Sequence, residues 1–240
     1  MKIIQFYVTS LIMLVLALLL ADAPLMAQQL RGNGNMQTQD RDVSGFKGIN
    51  VSGGFAVEVT QGNQESLRIE AEENLLGNIR TEVRGGVLHI YNEDGVTSNK
   101  GMKAYITMRE LNSVDISGGV KVTGKSSFRT DALKLDISGA SKVTMDINTK
   151  KLDADMSGAS KIELTGKADV LEMDMSGASK VEAADLQAKR VKVEASGASK
   201  IKVYATDELD INASGATVVH YKGSPSISAE TSSAARISKL

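Results

Sequence analysis

The sequence predicts an all-β chain folded as a right-handed parallel β-helix, a solenoid of stacked two-strand coils with Ser-Gly-Ala corners. Three observations carry this. Ser-Gly-Ala-Ser occurs four times, at 138–141, 157–160, 176–179 and 196–199, and degraded copies extend the series in both directions at intervals of 18 to 21 residues. Around each copy apolar and polar residues alternate, the mark of a strand with one face in a core and one in water. Residue types also agree at fixed offsets from every copy. A repeat this short buries its apolar side only by stacking on its neighbours.

In chain order, Lys2 precedes an apolar run over 8–20, and a small-residue site follows at Ala27 with Leu25 three positions before the cut. Residues 1–27 therefore read as an export signal, with a retained membrane anchor as the rival reading. Residues 28–42 read as a flexible N-terminal segment, and 43–240 as a single β-helix domain. Residues 46–62 carry a strand, a Ser-Gly corner and a strand, and are expected to begin the array. Strands are expected at 67–71, 87–91 and 102–108, mixed helical and loop signals over 72–83, a turn at Gly85 and Gly86, and a polar surface loop over 92–101.

From residue 112 onward the copies align on Ser117, Ser138, Ser157, Ser176, Ser196, Ser214 and Ser232. Five, three and one residues before the serine, the columns are mostly apolar, as in Leu152, Ala154 and Met156, and are expected to point inward in all seven copies. Two before it the column is Asp115, Asp136, Asp155, Asp174, Glu194, Asn212 and Glu230, expected to point outward. After the corner Lys121, Lys142, Lys161, Lys180 and Lys200 alternate with Val122, Val143, Ile162, Val181 and Ile201. Glycine supplies the positive φ or close backbone approach of the corner, and the alanine after it is expected to fill a narrow inner bend. The following Ser141, Ser160, Ser179, Ser199 and Thr217 could bond one coil to the next or satisfy bend carbonyls. Coils spaced ~4.8 Å apart give roughly 30 Å for seven. The crossover rule favours right-handed coiling. An antiparallel sandwich is the rival fold, but it does not require matching residue types at every corner.

Composition narrows the function. The chain has 28 basic and 29 acidic residues mixed along its length, a net charge of −1, so no electrostatic footprint for nucleic acid or an anionic membrane is expected. It has no cysteine, which excludes disulfides, cysteine metal sites and lipid attachment through an N-terminal cysteine. Aromatics are 4 % with no Trp, which weighs against a deep glycan cleft. His89 and His220 are the two histidines, both in strand-like stretches, and the corner serines lack a regularly placed base. No catalytic residue and no cofactor is expected. The carboxylates Asp115, Asp136, Asp155, Asp174 and Glu194 are the candidate cation ligands, since stacked carboxylates repel and resemble the oxygen ligands of Ca²⁺. The competing reading is a solvated outer face relieved by nearby lysines.

The Gly48-Ile49-Asn50 element with Ser52-Gly53-Gly54, the 67–71 strand, Gly86-Val87-Leu88-His89-Ile90 and the Ser-Gly-Ala ladder resemble the DUF2807 family, the putative autotransporter adhesin head GIN domain, over roughly 43–235. The resemblance implies a β-helix-like fold in an envelope or secreted protein, often of Bacteroidetes-type bacteria, with no catalytic residues to carry over. No translocator barrel or sorting domain is expected after the last repeat, which leaves periplasm, outer-membrane surface and exterior open. The expected function is a noncatalytic surface or envelope binding module whose flat outer faces and 92–101 loop contact an unknown protein or glycan. The alternatives are a polysaccharide-acting β-helix enzyme and a scaffold that self-associates through its end coils. Neither a nucleic-acid partner nor a membrane span after signal cleavage is expected.

Overall fold

The computed structural model describes residues 29–232 and 234–240. The export signal expected over 1–27 lies outside them. Among the described residues no helix is long and apolar enough to cross a membrane.

The chain is a β-solenoid. In order its strands are β1 (Leu30–Arg31), β2 (Met36–Arg41), β3 (Gly48–Gly53), β4 (Phe55–Gln61), β5 (Ser66–Glu72), β6 (Ile79–Arg84), β7 (Val87–Asn92), β8 (Val96–Thr97), β9 (Met102–Met108), β10 (Ser113–Gly118), β11 (Lys121–Ile137), β12 (Lys142–Met156), β13 (Lys161–Gly177), β14 (Lys180–Gly197), β15 (Lys200–Ala213), β16 (Val218–Lys222), β17 (Ser226–Thr231) and β18 (Arg236–Lys239). A 3₁₀ turn at Glu73–Leu75 lies between β5 and β6, within the stretch of mixed signals. From β10 onward every pairing is parallel and on both sides of the corner keeps the register of the repeat, as in Lys142↔Lys161, Leu152↔Leu171 and Met156↔Met175, while register shifts after Thr123, Glu163, Ala183 and Ala188 absorb the differences in coil length. To return to the same register about one repeat later, the chain turns at the Ser-Gly-Ala-Ser corner and again midway, near 148–151. In β11 to β15 the two strands of each expected coil are thus the two halves of one long strand, whereas β16 and β17 remain separate.

The corner shows why its residues are small. Gly118, Gly139, Gly158, Gly177, Gly197 and Gly215 all have positive φ. They are also stacked: a Cβ on Gly158 would stand 2.5 Å from the Gly139 carbonyl oxygen, and Gly139 and Gly177 meet the coil before them at the same distance. The second hydroxyl is buried. Ser160 Oγ donates to Gly139 O (3.2 Å) and Ser157 O (3.3 Å), and Ser141 does the same with Gly118 O and Ser138 O. In these two the single hydroxyl proton is shared between a coil-to-coil bond and a bend carbonyl, whereas Ser179 and Ser199 reach only the preceding coil, at Gly158 O and Gly177 O, and Thr217 only its own bend, at Ser214 O. The alanines differ from expectation: Ala140, Ala159, Ala178, Ala198 and Ala216 are exposed. The inside of the bend is filled by the serine that follows, while the alanine N–H bonds the preceding coil, as in Ala159 N–H to Gly139 O at 2.9 Å.

The inward columns are buried through Ala213. They fail at both ends. Asn112 is exposed, and in the last copy Ile227, Ala229 and Thr231 are exposed, Ile227 by 46 %. The last copy lies on β15 with no strand paired on its far side, so its inward column lacks half its packing.

The N-terminal end also departs from expectation. The β3–β4 coil stacks in register on β10–β11, with Ser52 and Gly53 beneath Ser117 and Gly118. It does not begin the array. The later segments β7 and β9 pair parallel on its other side, and antiparallel strands then close the stack, β6 on β7, β5 on β9, and β2 on β5. The described part of the segment expected to be flexible over 28–42, residues 29–42, therefore does not form a flexible lead-in: β2 is the outermost strand of this cap, and β1 pairs with β8.

Candidate functional site

Because the corner separates the Asp column from the Lys column, the two lie on different faces of the solenoid. Asp115, Asp136, Asp155, Asp174 and Glu194 stand in register on consecutive coils of the face before the corner. Lys121, Lys142, Lys161, Lys180 and Lys200 form an equivalent row on the face after it. The even mixing of charge along the sequence hides a spatial segregation. Taking the three outward positions per strand from 111 to 240, the face before the corner carries ten carboxylates against four cations, and the face after it nine cations against three carboxylates. Among the described residues no ion pair links the two faces.

On the acidic face, Lys134 reaches Asp155 at 3.1 Å, Lys151 reaches Asp153 (3.1 Å) and Glu172 (3.0 Å), and Lys192 reaches Glu194 at 2.6 Å. Asp115 accepts from Asn50 Nδ2 at 2.6 Å. Asp136 has no lysine within ion-pair distance, and partial burial followed by the repulsion of Asp115 raises its pKa. The five candidate ligands thus form a row instead of converging, with Asp155 and Glu194 paired to lysines and Asp115 to Asn50. Among the described residues no three His, Asp or Glu side chains gather to hold a metal ion. A shallow groove of ≈ 280 Å³ near the cap brings His89 beside Asp115, Asp136 and Lys134.

The basic face is organised around two glutamates. Glu163 is held by Lys161 (2.5 Å) and Lys142 (2.9 Å) and accepts from the Thr144 hydroxyl, which lowers its pKa to about 2. Glu182 sits between Lys180 (2.7 Å) and Lys202 (3.0 Å), and its pKa is lowered chiefly by Lys180. Each cluster keeps one excess positive charge. Lys222 lies over the Tyr204 ring at 5.0 Å, and His220 Nδ1 is 2.8 Å from Ser238 Oγ. That histidine–serine contact belongs to an end strand and has no equivalent on other coils.

The 92–101 segment, expected as a surface loop that contacts the partner, forms a different site whose anchoring the sequence did not signal. Glu72, fully buried, accepts from Gly34 N–H (2.7 Å), the Ser98 hydroxyl (2.7 Å) and Asn99 N–H (3.0 Å). These donors, the Ser98 hydroxyl first, hold its carboxyl below the usual range. Asn99 Nδ2 donates to Gly32 O. The loop is thus latched to the N-terminal strands. Beside it a groove of ≈ 520 Å³ is lined mostly by polar and glycine residues, among them Ser52, Asn92 and Ser98, together with Val96 and Met102.

The comparisons with known proteins agree with this architecture. A family model described as "Putative auto-transporter adhesin, head GIN domain" matches residues 45–225. A putative adhesin from Bacteroides fragilis superposes with a TM-score of 0.83 at 25 % identity, covering 88 % of this chain and 100 % of its own. A putative lipid binding protein from Parabacteroides distasonis gives 0.72 at 23 % identity, covering 89 % and 100 %. A putative adhesin from Parabacteroides merdae gives 0.69 at 19 %, covering 88 % and 99 %. No curated protein matches. With three quarters of its length matched by the family model and its stacked coils shared by these structures, the chain belongs to the DUF2807 family of putative auto-transporter adhesin head GIN domains.

Proposed function

We propose that this protein is an exported, noncatalytic, adhesin-like module of the cell envelope or surface that binds a protein or glycan on its outer faces. The observation that carries this reading is the repetition itself. Coil after coil presents the same outward residue types in register, which builds broad charged faces in place of one singular pocket. Catalysis on a polysaccharide asks instead for one privileged pair of carboxylates. Family membership and the adhesin names of similar structures support the same class.

Protease treatment of intact cells, paired with capture by the purified mature domain from envelope extract, tests the proposal. Cleavage at the surface and saturable capture of an envelope protein or glycan are expected. A protein shielded from protease that captures nothing would overturn it. The acidic row is expected to be indifferent to calcium, because its members are spread along the stack and do not converge, and Asp155 and Glu194 are already held by lysines. A melting temperature raised several degrees by millimolar Ca²⁺ and lowered by chelator would reverse that reading.

A further inference from the structure

The fold divides a nearly neutral chain into one acidic and one basic face, and each is the other's complement. We propose that the partner of each face is a second copy of this chain: the acidic face of one molecule docks side by side on the basic face of the next. Three features support the pairing. The carboxylate row from Asp115 to Glu194 and the lysine row from Lys121 to Lys200 run over the same succession of coils, so both repeat at the ~4.8 Å spacing of parallel strands and fall into step when two solenoids lie alongside. Charges are left over on both sides. Among the described residues Asp136, Asp174 and Asp210 have no cation within 4 Å, and Lys121, Lys200 and Arg236 no carboxylate. All six are exposed.

The contact is heterologous, acidic face to basic face, so it leaves one face of each kind free at the ends of a row and does not close. Its strength is bounded by area. Strands of about six residues on a stack of about 30 Å give roughly 600 Å² per copy, near the lower limit of specific interfaces. Charge complementarity at such a contact steers and registers the partners and is weakened by salt. The expected assembly is therefore weak, favoured on a crowded surface and sensitive to ionic strength.

The test uses the mature protein and two triple variants, K121E/K200E/R236E and D136K/D174K/D210K, each of which brings one face to neutrality. Retained melting temperature confirms folding. Sedimentation of the wild type is expected to show concentration-dependent association at about 20 mM salt that weakens at least about tenfold by about 300 mM. Each variant alone is expected to remain monomeric, while an equimolar mixture forms a one-to-one dimer that grows no further. A wild type that stays monomeric at low salt overturns the proposal. So does association that survives both sets of substitutions, which would assign it to the open end strands β17 and β18. A monomeric wild type whose lysine row binds heparin, used as a model polyanion, would instead give the basic face to an anionic polymer.

Discussion

Gly158 and Ala159 are neighbours of nearly equal size with opposite constraints. A methyl group at Gly158 would meet the Gly139 carbonyl at 2.5 Å while the residue holds a φ of +80°, and neither the parallel stack nor the bend gives way easily. G158A is expected to cost about 2–3 kcal/mol in denaturant unfolding, the sum of a left-handed backbone and a backbone clash. A159S, pointing into water, should fall within about 0.5 kcal/mol of wild type. The corner's small residues thus have two causes, close approach for glycine and buried hydrogen bonding for the second serine, and the alanine belongs to neither. Glu163 makes a second case on the outer surface. Its carboxyl is held at about 2 by Lys161 and Lys142, below the ordinary 4.5. A depressed carboxylate pKa stabilises the fold above the unfolded value and loses that contribution as pH falls towards the folded value. The melting temperature should therefore decline between about pH 4.5 and 2, and E163Q should flatten that part of the profile while lowering stability slightly at neutral pH.

The same coupling at Glu72 acts on whole segments. Its carboxylate ties the turn at Gly34, next to β1, to Ser98 and Asn99, just after β8, so the antiparallel cap and the 92–101 loop are ordered together. In E72Q an amide NH₂ replaces one acceptor oxygen and, whichever way the amide is flipped, faces the Gly34 N–H or the Asn99 N–H, donor against donor. Hydrogen exchange at 96–101 and 30–35 is expected to quicken markedly while the amides of β12 to β14 remain protected. The sign with pH is the same: the latch holds above the ordinary carboxylate range and weakens as pH falls through the lowered value. Protection unchanged in E72Q would remove the latch from this account. The repeat made β10 to β16 readable in the sequence, because each position is sampled several times at one offset. The cap had no such redundancy. β2, Met-Gln-Thr-Gln-Asp-Arg, is an edge strand whose residues are mostly exposed, so it lacks the alternation that identifies a half-buried strand, and its partner β5 lies some thirty residues away. The candidate carboxylates were legible as a column, and so was the lysine column. Their separation onto opposite-signed faces was hidden by a net charge summed along the chain, which carries no information about the side of the corner on which a residue falls.

A stack in which each coil touches only its neighbours should behave as a one-dimensional array, with stability close to a sum of coil and interface contributions. The sequence permits a direct test. Removing 161–179 joins Ser160 to Lys180 and takes out one coil from just after one corner to the end of the next. In the shortened chain β14 would lie on β12 with matching chemistry: Val181 over Val143, Val191 over Leu152 and Val193 over Ala154, all equivalents in the observed registers, and Gly197 over Gly158, both of which stack on Gly177. The outer surface is restored as well, since Glu182 comes to stand between Lys180 and Lys142 as Glu163 does between Lys161 and Lys142. The variant is expected to fold with the same strand signature, a melting temperature lower by several degrees and a smaller denaturant slope, because one coil's surface no longer unfolds. Removing 161–170 instead joins the corner directly to the second half of a coil. That places Leu171, Met173 and Met175 where the face after the corner should be and leaves the chain half a turn short of its register. Such a chain must either expose its apolar columns or break the parallel ladder, and it should fail to fold cooperatively. If both deletions were tolerated equally, the stack would be held by something other than coil-on-coil register. If neither were tolerated, the cap and the end strands would be coupled through the whole array, and stability would belong to the molecule as one unit.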